Sequence, residues 1–126
     1  MGTQELNKAY PRLKREWPGY ILRLTNPMSK GLPDFLITHI HCGPVFAEVK
    51  CVSDPRDIIG LEFHQAQTLD NLSCNGSKAR VLCLCLGTSS WAIFHAGPLV
   101  VHYKSLRWEM GQTVTSLSPS IFLGSK

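Results

Sequence analysis

Asp34-Phe35-Leu36-Ile37-Thr38-His39-Ile40-His41-Cys42-Gly43-Pro44-Val45-Phe46-Ala47-Glu48-Val49-Lys50 is the stretch on which the fold turns. Residues 33–41 and 44–51 are two apolar, β-branched-rich runs separated by Cys42-Gly43, the pattern of two strands joined by a hairpin or tight connection. Side chains alternate along a strand, so Glu48 and Lys50 share one side while Ala47, Val49 and Cys51 share the other. Pairing the two strands brings Asp34, near the start of the first, within reach of Glu48, near the end of the second. Two carboxylates and a backbone carbonyl suit a hard divalent cation, which takes oxygen ligands at roughly 2.1 Å and keeps waters besides. Lys50 cannot ligate while charged. It is left to orient or help deprotonate an attacking water, or to offset charge building on a phosphoryl group. Pro-Asp alone is an ordinary turn dipeptide, and Glu-x-Lys alone is an ordinary solvated strand face. Their joint occurrence at hairpin distance points to nuclease chemistry.

The chain has 126 residues, 44% of them hydrophobic, enough for one domain with a real core. It contains no apolar run long enough to span a bilayer and does not begin with a basic-then-apolar leader, so a soluble, cytoplasmic protein that does not engage a membrane is expected. Gly2 is not followed by the serine or threonine that a myristoylation signal needs. Five cysteines, Cys42, Cys51, Cys74, Cys83 and Cys85, are an odd number without C-x-x-C spacing, so they read as small buried hydrophobes. His39, His41, His64, His95 and His102 show no ligand spacing either, which argues against zinc.

The net charge of +4 is unevenly spread. Residues 1–30 hold Lys8, Arg12, Lys14, Arg15, Arg23 and Lys30 against Glu5 and Glu16, whereas residues 31–77 hold Lys50 and Arg56 against six acids. A basic flank beside an acidic centre suits a nucleic acid backbone, the six cations of the flank taking phosphates near the scissile one.

A first helix is predicted over residues 3–16, with Leu6, Ala9, Tyr10 and Leu13 on one stripe and Pro11 forcing a kink or a later start. Tyr20 to Leu24 reads as a short strand, and residues 25–31 as a flexible loop ahead of the acidic centre. A second helix is predicted over 61–75, stopped by Asn75-Gly76. Two strands, 79–86 and 91–95, follow it. Residues 112–126, rich in serine and threonine, predict no firm element and read as a mobile tail or dimer arm beyond a single domain of residues 1–111. The order α-β-β-β-α-β-β gives an α/β fold, a mixed sheet with helices packed on it.

With these motifs in place, the chain resembles the PD-(D/E)XK nuclease superfamily and, within it, the virus-type replication-repair nuclease (VRR-NUC) branch found in phages and bacteria. The resemblance runs from about Glu5 to Phe94 and rests on Glu5, Arg12-Leu13-Lys14-Arg15, Arg23, Gly31-x-Pro33-Asp34, Glu48-Val49-Lys50, and Gln65 followed by Leu69, Leu72 and Gly76. It implies a restriction-endonuclease-like mixed β-sheet flanked by helices. It further implies that Asp34, Glu48 and the carbonyl of Val49 bind Mg²⁺ or Mn²⁺, that Lys50 serves the water, and that Gln65 contacts that water or a phosphate. Glu5 is the expected first-helix acid, with Glu16 competing. Gln67 competes with Gln65, but about 200° separates the two on a helix, so only one faces the site. Small phage members resemble Holliday-junction resolvases that act as homodimers on branched DNA, a four-way junction. The alternatives are a monomeric flap or nicking nuclease and a catalytically inactive DNA-binding module on the same fold.

Overall fold

The computed structural model describes residues 2–25 and 31–123. A π-helical segment, Glu5–Ala9, leads into helix α1 (Tyr10–Glu16), and strands β1 (Tyr20–Arg23), β2 (Phe35–His39) and β3 (Gly43–Val52) follow. Helix α2 (Phe63–Cys74) comes next, then β4 (Lys78–Cys85), β5 (Ser90–His95) and the short helix α3 (Leu99–His102). A 3₁₀ turn at Trp108–Met110, strand β6 (Gln112–Val114) and a second 3₁₀ turn at Pro119–Phe122 complete the chain.

The expected helix over residues 3–16 forms, and Pro11 shapes it. Proline has no N–H to give, and its ring would strike the carbonyl four residues back in a regular helix. Here Pro11 sits in the first turn of α1, and the turn before it is widened, with the Tyr10 N–H bonded to the Glu5 carbonyl. Helix α2 starts with Glu62 as N-cap in a capping box with Gln65. It ends where Gly76 takes φ +96°, with Gly76 N–H on the Ser73 carbonyl and Ser77 N–H on the Leu72 carbonyl, the Schellman arrangement.

The six strands line up in chain order, every neighbouring pair antiparallel except β3 and β4. A parallel pair needs a crossover, and α2 lies within it. One face of the sheet, carrying Phe35, Ile37, Val45, Ala47, Val49, Leu82 and Leu84, packs on Leu13 and Trp17 of the first helical layer. The other, carrying Ala79, Val81, Cys83 and Phe94, packs on Ala66 and Leu69 of α2 and Leu99 of α3. The protein is therefore α/β, a six-stranded mixed sheet between helical layers. No helix among the described residues is long and apolar enough to cross a membrane.

Two elements go beyond the expected order, α3 and β6. Residues 112–123 are ordered parts of the fold where no firm element was expected: β6 pairs with β5, and Leu117 and Phe122 are buried in the same cluster as Leu13 and Trp17. Serine- and threonine-rich composition hid this because few apolar side chains anchor the segment, namely Val114, Leu117, Ile121 and Phe122.

Candidate functional site

Asp34 and Glu48 meet because Asp34 stands one residue ahead of β2. Phe35 faces Ala47 in the antiparallel register, so the next position back, Asp34, falls opposite Glu48. Asp34 takes over where the β2 backbone ladder stops: its Oδ2 accepts the N–H of Val49 at 2.9 Å. Ala47 and Val49 are buried against the first helical layer, so Glu48 and Lys50 turn to the face that α2 covers.

Glu48 is almost fully buried, at 3% exposure. Its Oε2 accepts from Gln65 Nε2 at 3.2 Å and lies 3.8 Å from Lys50 Nζ, while its Oε1 has no hydrogen-bond partner. Burial pushes its carboxyl up to about 9, with the charge of Asp34 adding to the rise and that of Lys50 opposing it. A carboxyl in that state, with an orphaned oxygen beside a second acid, is one that a divalent cation would satisfy.

Gln65 is brought in by α2. Its Oε1 accepts the Glu62 N–H at 3.0 Å, so both ends of the amide are engaged inside the protein. Gln67 is exposed and turned away, as the helical spacing requires. Gly31, at φ +82°, lets the loop before β2 press on α2: a Cβ there would lie 2.5 Å from the His64 carbonyl oxygen.

The first-helix acids are elsewhere. Glu5 lies by Cys51, whose thiol is pushed up to about 11 by burial and then by the Glu5 charge; Cys51 packs with the sheet face opposite Glu48. Among the described residues no three His, Cys, Asp or Glu side chains gather as a metal site, so Glu5 does not join Asp34 and Glu48 as a third carboxylate. Glu16 is a structural acid: its Oε1 accepts Trp91 Nε1 at 3.2 Å and Leu117 N–H at 3.0 Å, and its Oε2 pairs with Arg12.

Of the basic residues, Arg12 is spent internally, on Glu16, on Ser89 Oγ at 3.0 Å and on the Thr115 carbonyl at 2.8 Å. Lys8, Lys14, Arg15 and Arg23 are exposed. Lys14 sits over the Tyr10 ring at 5.3 Å, on the helical layer opposite the acid pair. Lys30 lies outside the described residues. A cavity of about 300 Å³ between β5 and α3, lined by Phe94, Leu99, His102, Leu106 and Met110, contains none of these groups.

The capping box that ties Gln65 to the helix start lacks the usual Ser or Thr at the N-cap, so the sequence did not signal it. The bond from Asp34 to Val49 N–H had no sequence signal. The chain matches no known family model, and no curated protein matches it.

Proposed function

We propose that this chain is a metal-dependent DNA endonuclease of the PD-(D/E)XK type, built on a restriction-endonuclease-like sheet. The observation that carries the reading is the buried Glu48 with its orphaned Oε1, set beside Asp34 and 3.8 Å from Lys50. Asp34, Glu48 and the Val49 carbonyl would hold Mg²⁺ or Mn²⁺; a donor set of two carboxylates and one carbonyl fits an ion that retains waters and takes substrate phosphate oxygens. The ion supplies Lewis acidity toward the phosphoryl group and toward water.

Lys50 stands on the same strand face, two residues from Glu48, where its amine can orient the attacking water or take up charge on the phosphoryl oxygens. Of the basic flank, Lys8, Lys14 and Arg15 are exposed on the helical layer of the opposite sheet face, and Arg23 at the end of β1 is the exposed flank cation outside that layer that we assign to the DNA backbone. We propose recognition by shape and backbone, with a four-way junction cut by a homodimer as its form. The free edge of β1, where Tyr20 is 65% and Leu22 43% exposed, offers apolar surface for a second copy.

The test is cleavage of a labelled four-way junction beside a linear duplex of matched length, with Mg²⁺, with chelator, and with Lys50→Ala. Paired symmetrical nicks only with wild type and Mg²⁺ are expected, and Lys50→Ala should lose activity by about 100-fold or more. Cuts confined to flap or linear DNA would replace the resolvase with a general nuclease. Binding without cuts in every lane would make the chain a DNA-binding module.

A further inference from the structure

Gln65 is locked at both ends of its amide. Because Oε1 accepts the Glu62 N–H in the α2 cap, Nε2 is the end that reaches the sheet and donates to Glu48 Oε2. The reversed amide would set its oxygen against a carboxylate oxygen and its NH₂ against an N–H, so the cap decides which way it faces. Such an amide keeps one N–H of Nε2 to offer, but its orientation is fixed by the cap and by Glu48.

The consequence falls on the carboxylates. On Glu48, Oε2 is taken by Gln65 and approached by Lys50, while Oε1 is buried and open. On Asp34, Oδ2 is taken by the Val49 N–H, and its carboxyl shares a side-chain hydrogen bond with that of Glu48. Each acid therefore has one oxygen held by the surrounding protein, and the contact between the two carboxyls is what an ion would replace.

Resting on the metal-dependent reading above, we propose that Gln65 is a positioning residue that, anchored by the capping box of α2, holds Glu48 to ligation through Oε1 alone and so selects Mg²⁺ or Mn²⁺ over Ca²⁺. Ca²⁺ gathers about six to eight oxygens in a flexible shell and uses carboxylates in bidentate fashion, whereas Mg²⁺ takes about six in a near-octahedral one and keeps its waters. Glu48 cannot turn both oxygens to an ion without giving up its Gln65 bond. The neighbouring bond from Val49 restrains Asp34 in the same sense. The selectivity thus arises from a helix cap, at a residue that need not touch the ion.

The test is calorimetric titration of the DNA-free protein with Mn²⁺, Mg²⁺ and Ca²⁺, in wild type, Gln65→Met and Gln65→Glu. Gln65→Met removes the donor; Gln65→Glu removes it too but keeps the cap acceptor, so it carries the test if the first variant does not fold. Both should lower the ratio of Mn²⁺ to Ca²⁺ affinity by about tenfold, the size expected for loss of a group that orients a ligand. Wild-type ratios retained in both folded variants, with metal still bound, would overturn the role of Gln65 while leaving the metal reading intact. Absence of binding by any divalent ion to the wild type would overturn the metal reading itself, and this inference with it.

Discussion

Glu48 ties stability to chemistry at a single side chain. Its carboxyl is raised from an ordinary 4.5 to about 9 by burial and by Asp34, so between those values the folded chain keeps a proton that the unfolded chain has lost. The linkage stabilisation is complete below the ordinary value and is lost as pH rises through about 9. Stability of the metal-free protein therefore falls across that window. Glu48→Gln resembles the protonated acid, so in chelator at pH 8 the variant should melt a few degrees above wild type, and near pH 4 the two should coincide. Added Mg²⁺ should raise the wild-type melting temperature and leave the variant unmoved. Parallel pH profiles in thermal denaturation would show that Glu48 stays ionised throughout. Lys50 beside it has the opposite logic: it opposes the rise without cancelling it, because burial is the larger effect.

At the scale of elements, the first helix and the crossover helix divide their labour in a way charge patterning did not disclose. Helix α1 reads in sequence as a basic DNA-facing element, yet Arg12 is folded back onto Glu16, Ser89 and the Thr115 carbonyl. Glu16 in turn joins three distant parts of the chain: Arg12, the Trp91 indole and the Leu117 backbone. Glu16→Ala would orphan two partly buried donors and a guanidinium, a cost of about 2–4 kcal/mol in denaturant unfolding. On the proposed nuclease reading, cleavage per folded molecule should be unchanged, because the acid pair lies on the other sheet face. A variant of wild-type stability with lost cleavage would instead put Glu16 at the reacting phosphate. Helix α2 carries the site through its first turn, where capping and site geometry share one residue, Gln65. Its C-terminal end was readable in advance, since an Asn-Gly stop is a local feature, whereas glutamate is not among the residues that signal an N-cap.

Over the whole molecule, the two faces of the sheet perform different tasks. The face toward α1 is closed in part by residues 112–123, with Trp91, Leu117 and Phe122 each at most 3% exposed. Deleting residues 112–126 would uncover that layer. Loss of Phe122 alone is worth about 3–5 kcal/mol, against a total stability of about 5–15 kcal/mol, so the shortened chain should show no cooperative thermal transition by circular dichroism. A sharp, wild-type-like melt would show instead that residues 1–111 fold alone. What the sequence determined by itself was the local part. Strand alternation put Glu48 and Lys50 on one face, hairpin spacing brought Asp34 within reach of Glu48, and an Asn-Gly stop bounded the end of α2, each depending on nearby residues. What only the tertiary structure decided was which charges are free. Arg12 and Glu16 against Glu5, Gln65 as a clamp on Glu48, and the burial of Phe122 all depend on contacts between residues far apart in the chain, where neither period nor spacing leaves a trace.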